Sequence, residues 1–118
     1  MRCILNTLDI ARELVNVLED KKAENILLLD IHEIAPFTDY FVICNGSSDR
    51  MLSALAETVS EAAHNLFHLP VRIEGKPEDG WLLVDLGDTI VHLFSPDQRE
   101  YYRLEQLWDK GKVLLKLQ

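Results

Sequence analysis

The stretch Trp81-Leu82-Leu83-Val84-Asp85-Leu86-Gly87-Asp88-Thr89-Ile90-Val91-His92-Leu93-Phe94 decides the fold class. Two runs rich in aliphatic, β-branched and aromatic residues flank Gly87-Asp88. A glycine placed first in a two-residue loop suits a type II′ turn, whose twist matches that of paired strands. The stretch therefore reads as a β-hairpin, and the turn sets its register. One face pairs Trp81 with Phe94, Leu83 with His92 and Asp85 with Ile90; the other pairs Leu82 with Leu93 and Val84 with Val91. The second face is purely aliphatic and is expected to pack on helices. The first mixes aromatic rings, an imidazole and a carboxylate, so it is the less core-like of the two.

Upstream of the hairpin, Val71 to Ile73 reads as a short strand restarting after Pro70. Before it, Asn45-Gly46-Ser47-Ser48 is a turn leading into a helix that runs to about Phe67, with Ser47 or Ser48 as its cap. Met51, Leu55, Val59, Ala62, Ala63 and Leu66 give that helix one apolar face. Tyr40 to Cys44 and Ile26 to Ile31 are strand-like apolar runs. A first helix begins near Asn6 or Thr7, with Leu8, Ala11, Leu14, Val15 and Leu18 recurring at helical steps. Downstream, Ser95-Pro96-Asp97-Gln98 opens the last helix as a capping box with Pro in its first turn. Tyr101, Leu104 and Trp108 form a stripe on it, Tyr102 and Leu107 lie beside it, and Gly111 stops it. The order α-β-β-α-β-β-β-α places the chain in the α+β class: a mixed five-stranded sheet with helices mainly on one face.

With 118 residues the chain fits one domain, spanning 1–118, and its 47% hydrophobic content is that of a globular protein. No apolar run approaches the roughly 20 residues that span a bilayer. Lys+Arg number 12 against 20 Asp+Glu, a formal charge of −8. Such a chain is expected to be repelled by nucleic acid and anionic lipid and attracted to basic proteins. Cys3 and Cys44 form no framework, and Met1 to Asn6 lacks the long apolar core of a signal peptide. A reducing cytoplasm is the expected setting.

Candidate reaction centres fall short. Ser47 and Ser48 precede a helix, but Asn45-Gly46-Ser47-Ser48-Asp49 lacks the Gly-x-Ser-x-Gly spacing of a nucleophile elbow, and helix capping accounts for both serines. His64 and His68 lie four apart on one helix, yet no third ligand accompanies them, so no metal site is expected. Gly46-Ser47 after a strand is similar to the phosphate-holding pair of nucleotidyltransferases. That chemistry needs paired carboxylates for metal ions; Val71-Arg72-Ile73-Glu74 offers one, and Asp85 and Asp88 are split by a turn. Neither catalytic residues nor a cofactor is expected. Asp88 is ordinary turn chemistry and a strand Trp is usually core, but Trp81, Asp85, Asp88 and His92 share one hairpin, with Trp81, Asp85 and His92 on its less core-like face. An aromatic with neighbouring carboxylates is the composition of a protein-binding surface.

Thr38-Asp39-Tyr40-Phe41-Val42-Ile43-Cys44-Asn45-Gly46-Ser47-Ser48 resembles the central motif of the ribosomal silencing factor family, also called Iojap-like or RsfS proteins. Glu74-Gly75, Gly80-Trp81, Asp85-Leu86-Gly87-Asp88, Val91-His92 and the ending Arg99, Tyr102, Leu104-Glu105, Leu107-Trp108 follow in the family's order. The resemblance spans about residues 5 to 110. It implies a nucleotidyltransferase-like fold without transferase activity. It also implies binding to the large ribosomal subunit through its protein number fourteen, which blocks joining of the small subunit and represses translation. The implied partner surface comprises Trp81, Leu83, Asp85, Leu86, Gly87, Asp88 and His92, with Trp81 the apolar anchor and the aspartates meeting Lys or Arg. A homodimer through the exposed sheet face or the tail, residues 113–118, would compete with it. The alternatives are a nucleotide-binding enzyme of the same fold and a factor for assembly of the large subunit.

Overall fold

Residue order and patterning build one mixed sheet. The structure, a computed structural model, describes residues 6–107 and 110–117; Cys3 and Trp108 lie outside the described residues. Helix α1 (Thr7–Asp20) starts at Asn6, whose side-chain oxygen accepts the Asp9 amide at 2.8 Å. Ala11, Leu14, Val15 and Leu18 form its buried stripe. Strands β1 (Glu24–Asp30) and β2 (Tyr40–Asn45) pair antiparallel, with Leu28 opposite Val42. Helix α2 (Asp49–Phe67) is capped by Ser48 Oγ on the Met51 amide at 3.1 Å. It carries the chain over to β3 (Arg72–Lys76), β4 (Trp81–Asp85) and β5 (Thr89–Phe94), and β5 lies parallel to β2.

The hairpin register is as read from the sequence: Trp81 faces Phe94, Leu83 faces His92 and Asp85 faces Ile90. Gly87 sits at φ +93°, the left-handed region that an L side chain avoids, and the Leu86 amide closes the turn on the Thr89 carbonyl at 2.9 Å. The α+β class holds, but among the described residues the sheet has six strands, ordered β3-β4-β5-β2-β1-β6. The sixth is β6 (Lys112–Leu117), drawn from the tail and antiparallel to β1.

Two further expectations are corrected. The last helix is not continuous. Helix α3 (Pro96–Tyr102) ends where Arg103 adopts a left-handed conformation (φ 46°, ψ 53°), and α4 (Leu104–Leu107) is a separate single turn. Ser95 Oγ does cap the Gln98 amide at 3.2 Å, while the Ser95 amide is spent on the Gly80 carbonyl at 2.9 Å. On α2 the buried face is Leu52, Leu55, Ala56, Val59 and Ala63; Leu66 is 56% exposed.

The sheet buries both faces unequally. Leu28, Val42, Cys44, Leu82, Val84, Val91 and Leu93 pack beneath α1 and α2. The opposite face holds Leu27, Leu29, Phe41, Ile43, Ile90 and Phe94, partly covered by Ile31, Ala35 and Leu104, with Trp81 and Leu83 half-buried at its margin. The middle strands β2 and β5 are buried along nearly their whole length, as expected of strands covered on both sides. This second face carries the candidate site.

Candidate partner-binding surface

Trp81 opens β4 just after Gly80, which caps a short 3-10 turn (Pro77–Asp79) at φ +77°. A Cβ at Gly80 would come within 2.6 Å of both Gln98 Cγ and Ser95 Oγ. Only glycine therefore lets the base of β4 close against the start of α3. This junction sets where the indole emerges. Phe94, the cross-strand partner of Trp81, stacks under it at 4.9 Å between centroids and 29° between planes. Tyr102, brought back by α3, lies 4.7 Å away at 48°. Aromatic pairs in such offset and tilted geometries contribute about 0.5–1.5 kcal/mol each beyond area burial.

The ring system continues inward. The indole N–H of Trp81 donates to Nδ1 of His92 at 3.2 Å, and Phe41 meets the His92 ring edge-on at 4.6 Å. Burial holds the His92 pKa down at about 4, so the ring is neutral near pH 7. At the outer end Tyr101 packs edge-on to Tyr102 at 4.9 Å, and both are exposed. Beside Trp81 runs an open groove of about 570 Å³, lined by Glu74, Asp79, Trp81, Leu83, Gln98 and Tyr102 together with Gly75. Among the described residues two carboxylates and no Lys or Arg line it, although Arg72 pairs with Glu74 at 3.9 Å and Lys76 lies opposite Trp81 in the β3–β4 register.

The residues singled out in the sequence divide into two groups. Trp81, Leu83 and His92 come together around the groove, although His92 is only 4% exposed and supports the indole from beneath. Asp85 lies four residues farther along β4, roughly 13 Å at strand rise, and its carboxylate accepts the Gly87 amide at 2.8 Å. Gly87 and Asp88 are exposed at the hairpin tip, where the Asp88 carbonyl accepts the amides of Asp39 and Tyr40 at 2.9 and 3.1 Å. Leu86 turns to the other side and joins the core under the helices. Sequence reading missed Glu74, Asp79, Gln98 and Tyr102. Phe94 was within reach, because the hairpin register already paired it with Trp81; Tyr102 required knowing that α3 folds back.

Elsewhere the polar motifs do structural work. The Gly46 amide, at the turn where a phosphate would bind, donates to the Phe94 carbonyl at 2.9 Å. Among the described residues no group of three His, Cys, Asp or Glu is arranged to hold a metal ion, and no helix is long and apolar enough to cross a membrane.

Comparison with known proteins agrees with this architecture. Residues 5–117 match the family model described as ribosomal silencing factor during starvation. The ribosomal silencing factor of Bacillus subtilis is 46% identical over 90 residues, 76% of each chain. A mouse protein named mitochondrial assembly of ribosomal large subunit protein 1 is 39% identical over 98 residues, covering 80% of this chain and 43% of that one. A crystal structure of a Chromobacterium violaceum protein superposes with a TM-score of 0.84 at 29% identity, covering 94% of both chains. With a match over nearly its whole length, the chain belongs to the ribosomal silencing factor family.

Proposed function

We propose that this protein is a non-catalytic translational repressor that binds the large ribosomal subunit through its protein number fourteen and so obstructs docking of the small subunit. The observation that carries the reading is the half-buried Trp81 at the wall of a groove whose charged lining, among the described residues, is two carboxylates. A partly accessible aromatic at the centre of a patch is the usual anchor of a protein interface. Asp79 beside it, and Asp85 and Asp88 along the hairpin, favour a basic partner and steer its approach, while Glu74 is shared with Arg72 at 3.9 Å. The formal charge of −8 disfavours rRNA as the primary contact.

Obstruction needs only bulk. The molecule measures 45 × 30 × 24 Å, and a standard interface occupies about 800 Å² on each side. A single domain of this size seated on the joining face keeps a second large particle away without any reaction. The cytoplasm is the compartment in which this role is exercised.

A second reading, a factor for assembly of the large subunit, is favoured by the name of the mouse relative. It uses the same surface at a different time. Co-sedimentation of the purified protein with mature large subunits and with precursor particles separates the two. Trp81→Ala is expected to weaken binding by 2 kcal/mol or more, about thirtyfold, with circular dichroism unchanged. Equal affinity of that variant and the native protein would refute this surface.

A further inference from the structure

A histidine is an expensive choice for the interior of an apolar face. Phe or Leu at position 92 would bury without leaving a polar atom dry. His92 nevertheless sits on β5 between Leu83 of β4 and Ile43 of β2, against the rings of Phe41, Phe94 and Trp81. Among the described residues none of these neighbours is charged, and its Nε2 has no hydrogen-bond partner. Among the described residues the ring's one polar contact is the bond that Trp81 Nε1 donates to Nδ1.

That contact has one chemical meaning. An indole N–H is only a donor, so Nδ1 must be the unprotonated acceptor and the ring proton resides on Nε2. An imidazolium has no acceptor and cannot make this bond. Stacking on Phe94 and packing beside Tyr102 restrain the plane of the indole, but a terminal ring torsion has roughly two wells, which put the N–H edge on opposite sides. The directional bond to His92 distinguishes them. It turns the indole's one polar atom inward, so that what Trp81 offers across the groove is hydrocarbon.

We infer that His92 is a positioning residue for the partner-binding surface: as the neutral Nε2–H tautomer it accepts the Trp81 indole N–H and selects the ring flip presented to the partner. The inference rests on the reading of Trp81 as the anchor. His92 itself does not touch the partner; it acts through Trp81.

The test uses His92→Leu, which keeps the site apolar and removes the acceptor, and His92→Asn, whose Oδ1 reaches the position of Nδ1. Nitrogen-15 spectra of the histidine ring in the native protein are expected to show the proton on Nε2. The Trp81 indole N–H signal, assigned by its loss in Trp81→Phe, is expected to exchange with solvent about tenfold faster in His92→Leu. Binding of His92→Leu to purified large subunits is expected to weaken roughly two- to tenfold, the range of one net hydrogen bond. His92→Asn is expected to restore both quantities toward native values. A ring proton found on Nδ1, unchanged indole exchange in His92→Leu, or an equal defect in folded His92→Leu and His92→Asn overturns the inference. Failure of the native protein to bind large subunits would instead overturn the proposed function, and the indole measurements would still decide the role of His92.

Discussion

Arg99 Nη1 donates to the side-chain oxygen of Asn45 at 2.8 Å, tying α3 to the end of β2 across 54 residues of sequence. The same nitrogen donates to the Asn25 carbonyl at 3.0 Å, and Nε reaches both oxygens of Glu105 at 3.3 Å. One guanidinium thus links β1, β2, α3 and α4. Its planar fork of donors suits such branching in a way an ammonium does not. Because α3 carries Tyr102, this link also holds one wall of the Trp81 groove in place.

The Arg99 side chain is 13% exposed and Asn45 is buried. Removing the charge strands a buried amide and a half-buried carboxylate. Hydrogen bonds to charged groups contribute roughly 1.5–3 kcal/mol each, but their losses are not additive. Arg99→Met is expected to lower unfolding stability by about 2–3 kcal/mol, measured by urea denaturation with m unchanged. Arg99→Lys, which cannot satisfy the fork, should recover less than half of the loss.

Burial of His92 creates a pH dependence. Its folded pKa of about 4 lies below the ordinary value of 6.5. Between those values the unfolded chain binds the extra proton, so stability rises with pH across that window and is lost as pH falls toward 4. One proton corresponds to a slope of about 1.4 kcal/mol per pH unit at most. Denaturation curves at pH 4.5 to 7 for the native protein and for His92→Leu should diverge, with the variant showing the shallower dependence. Parallel curves would mean that the imidazole is solvated.

Cys44 lies on β2 beneath the helices, and burial pushes its thiol pKa up to about 12, with Arg99 opposing only weakly. The thiolate is the reactive species, so native Cys44 is expected to resist alkylation at pH 8. In a Cys3→Ser background, labelling of Cys44 with a maleimide should proceed only through unfolding and accelerate in step with urea concentration. Rapid modification without denaturant would contradict the packing described for β2.

Local chemistry was legible in the sequence wherever the responsible contacts are local. Asn6 and Ser48 cap their helices because each side chain reaches an amide three residues on. Gly87, at φ +93°, supplies the positive-φ position that a two-residue hairpin loop needs, and the register of that loop put Trp81 over Phe94 and beside His92. The tail was noticed only as a candidate dimer surface, and its strand was missed for a physical reason. Leu28 pairs with Leu115 but Leu29 with Val113, so Leu114 is an extra residue in β6. Such a bulge breaks the two-residue alternation that identifies a strand. The break at Arg103 was equally hidden, since Tyr101, Leu104 and Trp108 keep helical spacing through it.

The chain's own pattern determined the class of fold, the aliphatic face that meets the helices, and Trp81 as the residue to watch. Periodicity and turn chemistry act between neighbours in sequence, and a hairpin is the longest structure they specify without help. Tertiary structure alone decided that the groove is walled by Glu74, Asp79 and Tyr102, that His92 lies under the indole instead of beside a partner, and that Asp85 serves the turn. Those facts depend on which side of the sheet α3 returns to and how deeply it buries the hairpin. Packing between distant segments sets both, and no spacing rule along the chain encodes it.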